Sequence, residues 1–152
     1  MMLYIFMGQS CTGKSTVVNK VKELKDVEVF VGKDYLRMAK NESEAWHLFY
    51  EKLSNAASNK DLSEGTIIYV ITEKAQLDRA IDIKGSYKVK FIAPLDTIKS
   101  RFAQRMHGKL PSPVEKMLEK QYEQWESIKG DMNVDTTVDN DVEKIVSLIV
   151  HR

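Results

Sequence analysis

Five short apolar runs along the chain, each bounded by turn residues, predict β-strands at 3–7, 27–31, 66–71, 87–92 and 132–135. Apolar residues recur at helical spacing over 14–25, 42–59, 73–82, 95–106, 113–129 and 140–150. Strands that alternate with helices predict a parallel sheet covered by helices on its faces. Because no repeat or linker interrupts the pattern, we expect one α/β domain over residues 1–152.

Local start signals place the beginnings of three of these helices. Asn41 followed by Glu44 predicts a capping box, and Thr72 is the expected N-cap of the next helix. Ser112 and Pro113 are expected at the N-cap and the first position of the helix at 113–129, with Glu115 at its third. The helical spacing also places three apolar residues on core-facing stripes: Leu48, Ile81 and Met106.

The segment after the first strand, Gly8–Thr16, reads GQSCTGKST and matches the phosphate-binding pattern G-x-x-x-x-G-K-[ST]. A buried strand precedes it and a helix follows it, which is the context that such a loop requires. Lys14 is expected to reach the β- and γ-phosphates, and the Ser15 hydroxyl to ligate Mg²⁺. An ordinary turn before a helix would leave both residues unexplained. The predicted contacts with a nucleoside triphosphate are Gly8, Ser10, Cys11, Thr12, Gly13, Lys14, Ser15 and Thr16.

The composition is that of a soluble globular protein, with 23 Lys and Arg against 22 Asp and Glu. This balance provides no general attraction to nucleic acid or membranes, so that any polyanion must be bound by local patches. The one cysteine, Cys11, excludes an intramolecular disulfide and favours a reducing, cytoplasmic location. The N-terminal apolar run is too short to span a bilayer.

Asp34 and Arg37 directly follow the second strand, at the edge of the sheet where open α/β sheets bind ligands. Asp34 could accept the proton of an attacking hydroxyl or orient a Mg²⁺-bound water, and Arg37 could hold an anionic group. The alternative is structural, with Asp34 as a helix cap and Arg37 in solvent. We interpret residues 32–62 as the acceptor-binding region.

Arg101 and Arg105 lie four residues apart and therefore on one helix face. Two guanidinium groups there can bind phosphates from the side opposite Lys14. A solvated basic face is the alternative. The following segment, 105–113, contains basic residues, one glycine and two prolines, which indicates a surface turn that we interpret as a lid.

Trp46 and Tyr50 belong to an aromatic group on the second helix that also includes Phe49. Aromatic side chains of this kind can form a wall on which a base stacks. Their helical spacing is equally compatible with a place in the hydrophobic core.

Taken together, these elements resemble the small P-loop kinases: nucleoside-monophosphate kinases, shikimate and gluconate kinases, and the kinase half of phage polynucleotide kinase. The resemblance rests on the Gly8–Thr16 loop, on Asp34-x-x-Arg37, on Arg101-x-x-x-Arg105 and on the closing segment 133–137. It implies a P-loop NTPase fold, a three-layer α/β/α sandwich whose five-stranded parallel sheet has the order 2-3-1-4-5, with a lid and a helical acceptor-binding flap.

The same resemblance implies ATP and Mg²⁺ as cofactors and an adenine held near Arg101 and the segment from Asp135 to Asp139. The residues expected to act in catalysis are Lys14, Asp34, Arg101 and Arg105, with Asp34 as general base. Acceptor contacts are expected from Asp34, Arg37, Trp46 and Tyr50, and metal contacts from Ser15 and Asp34.

The chain departs from the family pattern at two places. Cys11 stands where many relatives have glycine. The third strand ends in Ile71-Thr72-Glu73, whereas many relatives have there an aspartate that organises Mg²⁺. Glu73 could substitute, Asp34 could take the role, or Ser15 and the phosphates could suffice.

The leading hypothesis is therefore an ATP-dependent kinase of a small nucleotide, a (deoxy)nucleoside monophosphate, acting as a monomer or homodimer. One alternative is a kinase of a polynucleotide 5′-hydroxyl or of a non-nucleotide alcohol, with nucleic acid entering only as a 5′-end substrate. Another is a nucleotide-dependent binding module without phosphotransfer.

Overall fold

The computed structural model describes residues 2–23, 27–58 and 65–150. At residues 139–141 and 150 it describes the backbone only. Its strands are β1 (Met2–Met7), β2 (Val27–Val31), β3 (Thr66–Ile71), β4 (Tyr87–Ile92) and β5 (Met132–Asp135). Its helices are α1 (Lys14–Val21), α2 (Glu42–Ser58), α3 (Lys74–Ala80), α4 (Leu95–Arg105), α5 (Ser112–Glu126) and α6 (Asp139–Val150). A 3₁₀ turn, Asp34–Met38, follows β2.

The strands form one parallel sheet in the order β2-β3-β1-β4-β5, which confirms the predicted topology. Every residue of β3 is buried, and in β1 only Met2 is partly exposed. This burial explains why both strands read as continuous apolar runs, since central parallel strands are covered on both faces. All carboxyl ends of the strands consequently meet at one edge, where the Gly8–Thr16 loop begins.

Two hydrophobic cores lie on opposite faces of the sheet, and alternate residues of β1 enter each of them. Leu3 and Ile5 pack with α2 and α3, and their neighbours Tyr4 and Phe6 pack with α1 and α6. Helices therefore cover both faces of the sheet. This arrangement is the predicted three-layer α/β/α sandwich.

The helix starts agree with the sequence signals at one position and differ at two. Asn41 caps α2, because its Oδ1 accepts bonds from the N–H groups of Ser43 (2.8 Å) and Glu44 (3.2 Å). The predictions for Thr72 and Ser112 are wrong: the N-cap residues are Glu73 for α3 and Pro111 for α5, and neither makes a side-chain cap bond. Positions 24–25 and 59 of the predicted helices lie outside the described residues.

Three apolar residues expected in the core are exposed: Leu48 (39%), Ile81 (44%) and Met106 (37%). Ile81 and Met106 each come directly after the last residue of a helix and are exposed at its C-terminal end. Leu48 precedes the buried Phe49 by one residue and is rotated away from the buried stripe of α2.

Candidate active site

The phosphate-binding loop runs from the end of β1 to the start of α1 and is packed tightly against neighbouring backbone and side chains. The N–H of Gly8 donates to the carbonyl of Ile71 at 3.2 Å. A Cβ on Gly8 would lie 2.5 Å from the carbonyl oxygen of Phe91, and one on Gly13 would overlap the side chain of Thr136. Gly13 also has a φ of 88°, in the left-handed region. Both motif glycines are therefore required by the space around the loop.

Cys11, the departure from the family pattern within the loop, also has a left-handed backbone with φ 65°. Its side chain is buried in a small apolar cluster with Ala93, Ile98 and Leu118. The loop thus keeps a conformation that favours glycine, and apolar contacts with α4 and α5 accommodate the side chain.

Lys14 is folded back onto the loop that carries it. Its Nζ donates to the carbonyl oxygens of Gly8 (2.6 Å) and Gln9 (2.7 Å) and lies 3.3 Å from Thr12 Oγ1. Burial lowers the pKa of Lys14 to about 7; the sulfur of Cys11 opposes this shift and the charge of Arg105 adds to it. The site therefore holds a poorly compensated cation that a bound anion would stabilise.

Arg101 and Thr136 fix the outer side of the loop. One guanidinium N–H of Arg101 donates to the carbonyl of Cys11 at 2.9 Å, and the same nitrogen lies 3.3 Å from Thr136 Oγ1. The Thr136 hydroxyl in turn donates to the carbonyl of Thr12 at 2.9 Å. Residues from α4 and from the segment after β5 thereby hold the conformation of the loop.

A cleft of about 680 Å³ opens beside the loop, with Arg101, Gln104, Arg105 and Thr136 among the residues that line it. It extends to Val31 and Thr72, at the ends of β2 and β3. Four cationic side chains, Lys14, Lys22, Arg101 and Arg105, therefore line one cavity, and this surplus of positive charge favours a polyanion. The cleft brings together, from the predicted set, Ser10, Cys11, Gly13, Lys14, Ser15, Thr16, Arg101 and Arg105.

Asp135, the predicted adenine neighbour, does not line this cleft. Its Oδ1 accepts bonds from the backbone N–H (2.9 Å) and the hydroxyl of Thr137. Asp135 lines a second cavity, whereas the next residue, Thr136, lines the cleft. A nucleotide contact by Asp135 stays a prediction. Thr136 has the better position for it and lies within the family segment 133–137, where alternation across the strand end could have indicated it.

Asp34 and Arg37, which the sequence predicts as acceptor contacts, are not among the residues that line this cleft, and Asp34 begins the 3₁₀ turn after β2. Its Oδ2 accepts a bond from the backbone N–H of Val31 at 2.9 Å. Arg37 Nη2 lies 3.8 Å from the same oxygen, and the Arg37 side chain is 80% exposed. Asp34 thus makes the local bond expected of a structural residue, and its partner Val31 lines the cleft.

Trp46 and Tyr50 are partly buried and packed against the α2 side of the core. The Trp46 ring meets Tyr35 edge-on, with 5.1 Å between centroids, and the guanidinium of Arg79 lies 4.0 Å from the centre of the Trp46 ring. Tyr50 donates a long hydrogen bond, 3.4 Å, to Asp82. These contacts match the alternative in which the aromatic group belongs to the hydrophobic core. The Arg79 contact joins distant parts of the chain, and nothing in the local sequence indicates it.

The residues available for Mg²⁺ are hydroxyls at the cleft. Ser15 and Thr72 both line it, and Ser15 is exposed at the start of α1. Within residues 2–23, 27–58 and 65–150, no group of three or more His, Cys, Asp or Glu side chains converges in a metal-binding arrangement. Oxygen donors of this kind fit Mg²⁺, which binds few protein ligands and retains waters and substrate phosphates.

Comparison with known proteins shows the fold. No protein-family model and no curated protein sequence matches the chain. Among solved structures, a tunicamycin resistance protein of Deinococcus radiodurans is similar, with a TM-score of 0.63 and 16% identity, covering 99% of this chain and 95% of that one. A gluconokinase from Sinorhizobium meliloti gives a TM-score of 0.62 and 13% identity over 98% and 91%.

A shikimate kinase from Acinetobacter baumannii, solved in complex with shikimate, has a TM-score of 0.60 and 14% identity over 99% and 93% of the two chains. At such low identity the likeness establishes the architecture of these kinases and leaves the residues of the site to be argued from their geometry. Among the helices described here, none is long and apolar enough to cross a membrane.

The lowered pKa of Lys14 leads to a testable pH dependence. Between pH 7 and the unfolded value of 10.5, the unfolded chain holds more of the Lys14 proton than the folded chain. The free energy of unfolding without nucleotide should therefore rise with pH across this window relative to Lys14→Met, by up to about 1.4 kcal/mol per pH unit. Urea unfolding at a series of pH values measures this, and Lys22→Met, an exposed lysine at the same cleft, is the control. Parallel pH profiles of the free energy of unfolding for wild type and Lys14→Met would contradict the lowered pKa of Lys14.

Proposed function

We propose that this chain, which has the fold of the small P-loop kinases, transfers the γ-phosphoryl group of ATP to a small-molecule acceptor. The observation that carries the proposal is the convergence of Lys14, Arg101 and Arg105 on the cleft beside the phosphate-binding loop. Phosphoryl transfer depends mainly on positioning and on neutralising charge, and these cations are arranged for both. The kinases of similar fold support this reading.

The donor side follows from the loop. Its backbone N–H groups and the N-terminus of α1 provide the anion-binding end, and Lys14 can exchange its bonds to Gly8 and Gln9 for bonds to phosphate oxygens. Ser15 would hold Mg²⁺, which supplies further charge neutralisation when bound. Arg105, exposed on α4, would contact the transferring group, while Arg101 is engaged in holding the loop.

On the acceptor side, the geometry favours a hydroxyl group. A hydroxyl must lose its proton during attack and needs a base, which the Asp34 carboxylate can provide. The bond from Val31, a residue that lines the cleft, holds that carboxylate in one orientation through Oδ2. A phosphate monoester, with a second pKa near 6, is already largely deprotonated at neutral pH and would be repelled by a carboxylate. We therefore place an alcohol, such as a sugar-like hydroxyl or a 5′-hydroxyl, ahead of a monophosphate.

A (deoxy)nucleoside monophosphate, the acceptor expected from the sequence, remains the second candidate. Arg37 favours it, because its exposed guanidinium, 3.8 Å from the Asp34 carboxylate, could bind the acceptor phosphate. The position of Trp46 weakens it, since Arg79 already covers one face of the ring on which a base would stack. In either case we assign acceptor binding to 32–62, of which 59–62 lie outside the described residues.

The lid assigned to 105–113 is short in the structure. α4 ends at Arg105 and α5 begins at Ser112, which leaves Met106–Pro111 as the connection. Lys99 on α4 binds Glu115 (3.1 Å) and Glu119 (2.8 Å) on α5 and joins the two helices. We therefore propose that closure of the lid moves this connection and not the helices α4 and α5. The cytoplasmic location and the oligomeric state remain predictions.

The acceptor class can be tested by ATP consumption across a panel of candidate acceptors. We expect turnover with an alcohol, from among sugars, sugar acids, cyclic polyols and 5′-hydroxyl oligonucleotides, and none with the deoxynucleoside monophosphates. Turnover with a monophosphate alone would restore the second candidate. ATP binding without turnover on any member of the panel would instead favour a binding module.

Asp34→Asn tests the proposed base, because the amide oxygen can keep the bond from Val31 while the basicity is lost. We expect turnover to fall by about 10²–10⁴-fold with the KM for ATP nearly unchanged, as for loss of a general base. Steady-state kinetics with the accepted alcohol measures this. Asp131→Asn is the matched control, because the Asp131 carboxylate likewise accepts a backbone N–H bond, from Lys88 at 2.8 Å, and does not line the cleft. Full activity of Asp34→Asn would contradict the role of Asp34 as the general base.

A further inference from the structure

A second cavity, of about 410 Å³, lies behind the phosphate-binding loop, between the ends of β4 and β5 and helix α5. Gln9 and Thr12 of the loop line it, and the side chains of Lys14, Arg101 and Arg105 do not. It is thus separate from the cleft assigned to the nucleotide. Its volume suits a compact ligand of one or two rings.

Gln9 provides the main evidence that this cavity is a binding site. The residue is 3% exposed, and its side-chain N–H group donates to the carbonyl of Leu118 on α5 at 2.9 Å. Its Oε1 is buried and accepts no hydrogen bond in the described part of the chain. A buried carbonyl oxygen without a donor is costly, and a ligand N–H group would remove that cost.

The remaining walls define the kind of ligand. Tyr122 and Trp125 of α5 contribute aromatic surface, which suits a flat ring. The charged lining consists of Lys90 against two carboxylates, Glu126 and Asp135, so that the charges sum to one negative. Burial lowers the pKa of Lys90, while the nearby Glu126 opposes that shift. The net negative charge of the lining favours a ligand with one positive charge.

From these observations we infer that the cavity binds a planar aromatic cation bearing N–H groups, with one N–H donated to Gln9 Oε1 and the charge placed near Glu126. The site would be coupled to nucleotide binding through Gln9 itself. The backbone carbonyl of Gln9 accepts bonds from Lys14 Nζ and from the Thr12 hydroxyl, each at 2.7 Å. A ligand that holds the Gln9 side chain therefore acts on the residue that Lys14 must release to reach phosphate.

Benzamidine is a suitable probe, because it is a flat aromatic cation with several N–H donors. The chain has two tryptophans, and after labelling with 5-fluorotryptophan the variant Trp46→Phe leaves Trp125 as the single ¹⁹F reporter beside the cavity. We expect a saturable benzamidine-dependent shift of the Trp125 resonance. This readout needs neither ATP nor turnover, so that failure of the proposed kinase activity would leave it interpretable.

Two substitutions test the contacts in this same background. Gln9→Met and Glu126→Gln should each weaken benzamidine binding by about fivefold, the effect of one lost hydrogen bond or charge contact. Glu123→Gln, an exposed charge on α5 away from the cavity, should leave the affinity unchanged. Thermal unfolding shows whether Gln9→Met still folds, and Glu126→Gln decides the matter if it does not. The absence of a saturable shift, or equal affinities in Glu126→Gln and Glu123→Gln, would overturn the site.

The coupling is tested by repeating the titration with saturating MgATP. Linkage requires that any effect of ATP on benzamidine affinity equals the effect of benzamidine on ATP affinity. We expect bound MgATP to change the Kd for benzamidine by about fivefold or more, and benzamidine to change the Kd for ATP by the same factor. Equal benzamidine affinity with and without bound MgATP would overturn the coupling.

Discussion

The constraint on which the site depends is the conformation of the phosphate-binding loop, because the loop curves through left-handed backbone at Cys11 and Gly13. Such a segment keeps its shape only when its surroundings hold it. Here the surroundings are specific: Arg101 binds the carbonyl of Cys11 and Thr136 binds that of Thr12. Groups far apart in sequence therefore maintain a loop whose own residues would otherwise favour other conformations.

The same packing determines the electrostatics of the site. Carbonyl oxygens of the loop surround the Lys14 ammonium, yet burial still depresses its pKa to about 7, since carbonyl dipoles compensate less than water does. A triphosphate would supply the missing negative charge at that point. The residues proposed for the acceptor are held less firmly than the loop: the Asp34 carboxylate accepts one local hydrogen bond, and the Arg37 side chain is largely in solvent.

The sheet and the loop could be predicted from sequence because their signals are local: apolar runs, strand–helix alternation and motif glycines. The parts that could not be predicted depend on contacts across the fold. Thr72 and Ser112 look like caps, but α3 begins after Glu73 and α5 begins after Pro111. Trp46 looks available for stacking until Arg79, from another helix, covers it. Alternation at the end of β5 separates the side chains of Asp135 and Thr136, but which of the two lines the cleft is decided by the orientation of β5 in the folded sheet.

The central claim is that the loop and its cations form a triphosphate site, and calorimetric titration with MgATP tests it most directly. The account predicts saturable binding at one site per chain in the wild type. It also predicts a loss of about tenfold or more in affinity for Lys14→Met, the effect of removing one charged hydrogen-bond donor. The absence of saturable binding to the wild-type protein, or equal affinity in Lys14→Met, would contradict the account.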